Sequence, residues 1–317
     1  MQKNSSQVVT VAEMILKQVR KAVVGKDNVL VWALAAILAK GHILLEDIPG
    51  VGKTTMAVAF SHALGLSYNR VQFTPDVLPS DVTGYSVLNQ NSTEMDYRPG
   101  AVLCNLFLAD ELNRATSRTQ SALLEAMEEN QVTVDGISHT LPSPFTVIAT
   151  QNPAGAAGTQ LLPDSQMDRF TVCLRLGYPD PEHEVTMLLQ RQGSDPMLQI
   201  ESVVTAEQLA QLQNVVAATH VSEAVAKYVV ELINATRCSE LLLRGASPRA
   251  TLAVTSMAKA VAQLSGRDYV IPKDVQEVLV TTVAHRLQVS PKAESEGKDA
   301  RQVLQLIMGQ IRAPKLR

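Results

Sequence analysis

Cysteine is scarce in this chain. Three occur in 317 residues, Cys104, Cys173 and Cys238, far apart and with no CxxC pair among them. That spacing signals neither a zinc site nor a dithiol redox pair, and it suits a reducing, cytoplasmic compartment. Cys104 borders one apolar run and Cys173 lies within another, where a free thiol acts as a small hydrophobe. The six histidines contain no HExxH and no i, i+4 pair, so they signal no metalloprotease site. Long hydrophobic runs are missing as well. The longest, Val29–Ala39, has eleven residues, whereas a bilayer span takes roughly 20; it reads as a buried helix, with no membrane insertion. Glu13 and Lys17 interrupt the apolar residues near the start, unlike a signal peptide. Positive charge is not in excess: 28 Lys and Arg face 31 Asp and Glu, for a net charge of −3 and a pI near 6.1. A nucleic-acid partner is therefore disfavoured. No NKxD-type base-reading motif is present, which argues against a GTPase.

What is present is ordinary globular material, 46% hydrophobic and 19% charged, in a chain long enough for two domains. Residues 1–178 alternate short apolar runs with helical patterns, as a parallel α/β sheet requires. The strand candidates are His42–Glu46, Arg70–Phe73, Asn105–Ala109, Phe145–Thr150 and Phe170–Leu176, with helices at Thr54–Leu64 and Ser117–Asn130. Their near-continuous apolar character suits strands covered on both faces. Two segments interrupt the alternation. Residues 83–101 hold the polar turn "NQNS", and residues 131–142 alternate around Asp135-Gly136, a strong hairpin signal. Both read as hairpins inserted into the α/β core. Residues 179–317 read as a separate helical domain with loops at "GSDP", "RGASP" and "SGRDYVIP". Thr205 with Gln208 forms a capping-box pattern, and Ser247-Pro248 sets an N-cap residue before a proline at the first helical position.

The stretch "EDIPGVGKTT", residues 46–55, ends as a phosphate-binding loop does, but Asp47 stands where the GxxxxGK[ST] pattern opens with glycine. Gly50 and Gly52 let the backbone approach a phosphate, and the helix that follows aims its positive dipole end at it. In this pattern Lys53 reaches the β- and γ-phosphates, and the Thr54 hydroxyl takes a place on Mg²⁺. In "NLFLADELNRA", a buried strand delivers Asp110 and Glu111 at its C-terminal tip, where ligands bind in open α/β sheets. Asp110 suits Mg²⁺ held through water, and Glu111 suits a general base for the attacking water. Asn152, ending "FTVIATQN", offers an amide beside them. Arg169 precedes a strand and Arg249 occupies the first turn of a helix in the second domain. Both suit the spreading of transition-state charge.

With these residues in place the chain resembles the MoxR-type AAA+ ATPases over nearly its whole length. The resemblance runs in order through "LLEDIPGVGKTT", "QFTPDVLPSDVTG", "ADELNRA", "TQSALLEAMEE", "ATQNP", "LPDSQMDRF" and "GASPRA". An acidic residue at the position of Asp47 is common in that family, so the loop is expected to bind ATP. The resemblance implies a three-layer αβα P-loop core with a five-stranded parallel sheet, followed by an all-α lid. It assigns Gly50, Val51, Gly52, Lys53, Thr54, Thr55, Asp110 and Glu111 to the Walker motifs and Asn152 to the sensor position. It makes Arg169 a finger offered to a neighbour's ATP and Arg249 the lid arginine that senses γ-phosphate in its own subunit. Val23–Lys26, with Val24 and Gly25, resembles the stretch lining the adenine pocket, and the two hairpins resemble insertions that face a central pore. "NPAGAAGTQLLPD" is less acidic than the usual family loop, which changes the charge near a subunit boundary.

The expected activity is Mg²⁺-dependent ATP hydrolysis by a homo-oligomeric ring, a hexamer, that remodels or assembles a client protein with a von Willebrand factor A-domain partner. Two alternatives are an ATP-binding switch without turnover, against which Glu111 argues, and a DNA-associated motor, against which the acidic pI argues.

Overall fold

The computed structural model describes residues 2–48, 50–89, 95–152, 162–190, 192 and 195–315. The chain starts with helices α1 (Gln2–Val19) and α2 (Asp27–Leu38). The apolar run at 29–39 thus forms most of a helix whose residues Ala33–Leu38 are fully buried, as its composition demands. Then come β1 (Ile43–Glu46), α3 (Lys53–Ala63), β2 (Tyr68–Gln72) and α4 (Pro79–Thr83). A hairpin of β3 (Gly84–Leu88) and β4 (Met95–Pro99) leads to β5 (Leu106–Asp110) and α5 (Ser117–Glu129). A second hairpin, β6 (Gln131–Val134) with β7 (Ile137–Thr140), precedes β8 (Thr146–Gln151), α6 (Asp164–Met167) and β9 (Val172–Leu174).

The five-stranded sheet has the order β2-β5-β8-β1-β9, and every pairing in it is parallel. The central strands β5 and β8 are buried along their whole length, while β2 is an edge strand with three exposed residues out of five. The last strand is shorter than the apolar run 170–176 predicts: pairing is confined to 172–174, and Phe170 sits before it as a core side chain. In the second hairpin Asp135 and Gly136 both have positive φ, 50° and 79°, the geometry of a tight type I′ turn. The two hairpins are fastened together by Tyr97 stacked on His139, ring centroids 3.6 Å apart. The "NQNS" turn lies partly, and the tract 153–161 entirely, outside the described residues.

The remainder is helical: α7 (Pro181–Gln190), α8 (Ala206–Ala217), α9 (Glu223–Cys238), α10 (Pro248–Leu264), α11 (Pro272–Val283), α12 (Pro291–Ser295) and α13 (Ala300–Gln310). One short ladder interrupts it, β10 (Leu242–Arg244) with β11 (Gln288–Val289). The Thr205–Gln208 capping box forms in both directions. Ser247 occupies the N-cap position but makes no cap bond, because its hydroxyl donates to both carboxylate oxygens of Asp168 at 2.9 and 2.8 Å. A local signal is thereby spent on a contact between the two halves of the chain. Apolar residues of α1, α2 and α3, one face of the sheet, and α8 to α11 belong to one continuous core. A second core, with Phe73, Phe107, Leu123 and Phe170, covers the other face. Cys104 and Cys173 are buried free thiols, each pushed up to about 12 by burial.

Candidate nucleotide site

Strand order builds the site. Because β5, β8 and β1 are neighbours, with Ala109 and Leu44 both level with Ala149, three loops leave the same edge of the sheet side by side. These are the loop carrying Gly50–Thr55 after β1, the Asp110-Glu111 pair ending β5, and Asn152 after β8. Gly50 and Gly52 have φ of 86° and 95°, a region that L side chains rarely adopt. A Cβ placed on either would meet no atom within 4 Å, so the glycines face open space. Gly52 caps α3, an eleven-residue helix whose first N–H groups point into that space.

A cavity of about 340 Å³ lies there, lined by Lys53, Thr54, Asp110, Glu111 and Asn152 among others. Lys53 is 7% exposed and donates to the Asp47 backbone carbonyl at 2.6 Å and to Asn152 Oδ1 at 3.5 Å. Burial holds its pKa below the ordinary lysine value, while Asp47, Asp110 and Glu111 oppose that shift. Glu111 has φ 56°, left-handed for a non-glycine residue. Its carboxylate accepts from Arg114 Nη1 at 2.7 Å and from Asn152 Nδ2 at 3.1 Å. The Arg114 hydrogen bond, with smaller contributions from the Asn152 and Gln72 amides, holds its pKa below the usual carboxylate value.

A second cavity, of about 200 Å³, adjoins the first through Gly50, Gly52 and Thr55 and is walled by Val23, Val24, Val51, Pro179 and Met187. Its apolar walls suit a planar base. Gly25 does not line it: a Cβ there would stand 2.5 Å from the His183 ring, so this glycine permits a close approach between the 23–26 loop and α7. Asp47 does not face the phosphate space either. Its carboxylate accepts from the N–H of Ile48 at 2.9 Å and of Gly177 at 2.6 Å. The carboxylate that breaks the glycine pattern therefore ties the loop to the segment leaving β9.

The other two arginines lie elsewhere. Arg169 precedes β9, and α5 ends beside the start of β1, where His42 Nε2 donates to Met127 O at 3.0 Å. Both positions are at the N-terminal edge of the strands, opposite Lys53. There Arg169 Nη1 donates to Leu124 O at 2.6 Å and Glu128 Oε2 at 3.0 Å, while Arg249 pairs with Glu128 Oε1. A cavity of about 250 Å³ opens beside them, with Arg286 and Asp168 in its wall. Arg249, expected to sense the nucleotide of its own subunit, lies away from that nucleotide space in this structure. The helix that carries it reaches the opposite edge of the sheet, and it lines neither nucleotide cavity.

Four further residues touch the site without having been singled out from the sequence, although Gln72, Arg114 and Thr150 lie inside the motifs quoted above. The Thr150 hydroxyl donates to Asp110 Oδ1 at 2.7 Å and accepts from Glu111 N at 2.8 Å. Arg70 and Gln72 line the larger cavity from β2, and Arg114 holds Glu111. Strand alternation and helical i+3 spacing were the available signals.

The cavity's donors fit a nucleotide with a hard divalent cation. Lys53 and the α3 N-terminus suit phosphate, and the Asp110 carboxylate and Thr54 hydroxyl are oxygen ligands of the kind Mg²⁺ prefers. Among the described residues no group of three or more His, Cys, Asp or Glu could cage a metal.

Comparison with known proteins agrees with this geometry. The profile described as "ATPase family associated with various cellular activities (AAA)" matches residues 42–172, and that of the "AAA lid domain" matches residues 234–307. YeaC of Bacillus subtilis is 44% identical over 299 residues, covering 94% of this chain and 93% of YeaC. Chaperone MoxR1 of Mycobacterium tuberculosis is 38% identical over 313 residues, covering 96% of this chain and 82% of MoxR1. A crystal structure of a Cytophaga hutchinsonii protein superposes with a TM-score of 0.90 at 35% identity, covering 99% of this chain and 98% of that one.

Proposed function

The chain belongs to the MoxR-type AAA+ ATPases, and from that premise we propose that it works as a ring whose ATP hydrolysis remodels or assembles a client protein. The observation that carries this reading is the division of charged groups between the two edges of the sheet: Lys53, Asp110, Glu111 and Asn152 around open space at one, Arg169 and Arg249 at the other.

In this reading the Gly50–Thr55 backbone and Lys53 cradle the triphosphate, with the base in the cavity beside Val24 and Val51. Thr54 and Asp110 would hold Mg²⁺, which would offset the negative charge of the phosphates. Glu111 takes the proton of the attacking water, oriented by Asn152, and Lys53 steadies the γ-phosphate. The missing counter-charge is Arg169 of a second copy, which makes assembly a condition of turnover. A second copy would also cover the exposed Tyr178, Val185, Leu188 and Leu189 on and before α7. A hexamer is the expected ring size.

Support for a client comes from the hairpins, which expose Tyr85, Leu88, Met95 and Ile137, apolar side chains suited to gripping a polypeptide. The name of the M. tuberculosis relative, a chaperone, points the same way. A von Willebrand factor A-domain partner rests on family resemblance alone. No helix among the described residues is long and apolar enough to cross a membrane, which is compatible with work in the cytoplasm.

The test compares phosphate release by the native protein and Glu111→Gln. Turnover should fall by about 10²-fold or more in the variant, the scale of a lost general base, while ATP binding persists. Equal release by both would replace hydrolysis with the switch reading.

A further inference from the structure

The pleat of β2 turns Tyr68, Arg70 and Gln72 to one side, and the register sets Gln72 opposite Asp110. Arg70 thereby reaches the carboxylate at the tip of β5, donating to Asp110 Oδ2 from Nε at 3.2 Å and from Nη2 at 2.8 Å. Nη2 also donates to Gln72 Oε1 at 2.8 Å. We propose that Arg70 is a resident counter-ion for Asp110, one that occupies the carboxylate oxygen a divalent cation needs and gives it up when the cation enters with nucleotide. The inference rests on the reading of Asp110 as a metal-holding residue.

The two oxygens of Asp110 have unlike partners. Oδ1 accepts from Thr150, a fully buried side chain on the neighbouring strand whose hydroxyl also accepts from Glu111 N. Releasing it would disturb the sheet and the base together. Oδ2 is held, among the described residues, by Arg70 alone, whose side chain is 44% exposed. A half-exposed ion pair contributes little to stability, so opening it is cheap, and the freed guanidinium turns into solvent or toward the phosphates. A guanidinium and a divalent cation with its bound water compete for that one oxygen and repel each other, so tight occupancy by both is disfavoured. Without a cation, Arg70 keeps a buried carboxylate paired at the mouth of an anion-binding space, where an unpaired negative charge would repel the triphosphate. Arg70 also holds Gln72, which lines the same cavity as Glu111. Release of Arg70 thus frees Gln72 in the cavity wall as the cation arrives.

The role has a signature of opposite signs. With a non-hydrolysable ATP analogue bound, Mn²⁺ titration followed by electron paramagnetic resonance should show Arg70→Met binding Mn²⁺ about fivefold tighter than the native protein, the scale of one part-exposed ion pair removed as a competitor. In EDTA, the same variant should bind a fluorescent ATP analogue more weakly, because Asp110 is then unscreened. Mn²⁺ affinity unchanged or weakened in Arg70→Met overturns the proposal, since a structural or permanently phosphate-bound arginine gives those results. Arg70→Lys keeps the charge but loses the two-pronged contact. Its Mn²⁺ affinity should fall between the other two, and it carries the same test should Arg70→Met fail to fold. Native protein that binds no nucleotide under either condition would remove the proposed function and this inference together. Normal native binding with no gain in Mn²⁺ affinity removes the inference alone.

Discussion

The two edges of the sheet are opposites in charge and in what they enclose. At the C-terminal edge Asp110 and Glu111 stand with Lys53 around an open cavity, and the carboxylates are held by Arg70, Arg114 and Thr150. At the N-terminal edge a single carboxylate, Glu128, is gripped by two arginines, with Arg286 close by on Asp168. One edge has a glycine-rich loop, a lysine and two carboxylates around open space, the set that suits phosphate binding and water activation. The other has arginines that share one part-exposed carboxylate and, among the described residues, no phosphate-binding loop. Each resembles half of a hydrolytic site, and a parallel sheet keeps the halves a strand length apart. On the proposed reading, a complete site calls for two copies of the chain.

The sharpest way to break this comparison is to remove the arginine edge. Arg169→Ala is expected to cut turnover by roughly 10³-fold or more, within the range for an arginine finger, while ATP affinity stays close to native. Mixed with inactive Lys53→Ala it should regain part of the activity. Arg249 gives a finer cut. From its place beside Arg169 it belongs to the same half-site, so Arg249→Ala should be rescued by Lys53→Ala and not by Arg169→Ala. Rescue between the two arginine variants would return Arg249 to its own subunit's nucleotide, and wild-type turnover in Arg169→Ala would end the two-copy account.

How much of this was legible in the sequence follows from the range of each interaction. The phosphate loop, the Asp110-Glu111 pair and the Asp135-Gly136 turn are set by residues within a few positions of one another, so spacing and residue type reveal them. The strands were legible to within one or two residues at each end because their apolar runs are short and bounded; the run at 170–176 overshot at both ends, and core packing of Phe170 mimicked pairing. Thr150, Arg70 and Gln72 were silent because their roles exist only once β2, β5 and β8 lie in register. Asp47 looked like a defect in a glycine pattern, and its partner, the Gly177 N–H, is 130 positions away. Arg249 was legible as a cation at a helix start, but the edge that helix reaches depends on how α10 packs against α1 and α2.

The arginine edge also has a weak point that the nucleotide edge lacks. His42 anchors the end of α5 next to Glu128, donating from Nε2 to Met127 O and accepting at Nδ1 from Val147 N at 3.0 Å. Both ring nitrogens are used by the neutral form, and burial lowers its pKa from 6.5 to about 4. Above 6.5 the ring is neutral in both folded and unfolded chains. As pH falls from 6.5 toward 4 the unfolded chain takes up the proton and the folded one does not, so stability drops. From pH 7 to 5 the loss from this group is about 2 kcal/mol. His285, lowered to about 3 by burial, adds in the same direction. Urea melts at the two pH values should show His42→Asn losing distinctly less stability on acidification than native; equal losses would remove His42 as the acid-sensitive anchor.

The smallest effect is expected at the nucleotide edge, where the base is tuned without being buried. Arg114, three residues past Glu111 on the turn that follows β5, holds the carboxylate in its charged form and is the leading cause of its lowered pKa. A lowered pKa keeps Glu111 ionised further into acid, at the expense of some basicity toward water. Arg114→Ala should therefore move the acid limb of the pH profile of kcat/KM to higher pH, the parameter that reports the free enzyme, while the plateau near pH 8 changes only a few-fold. The contact is part-exposed, so screening reduces its weight, and the displacement should shrink further in high salt. An acid limb unmoved in Arg114→Ala would mean that another group sets the pH dependence, and the nucleotide edge would lose its tuned base while keeping its cradle.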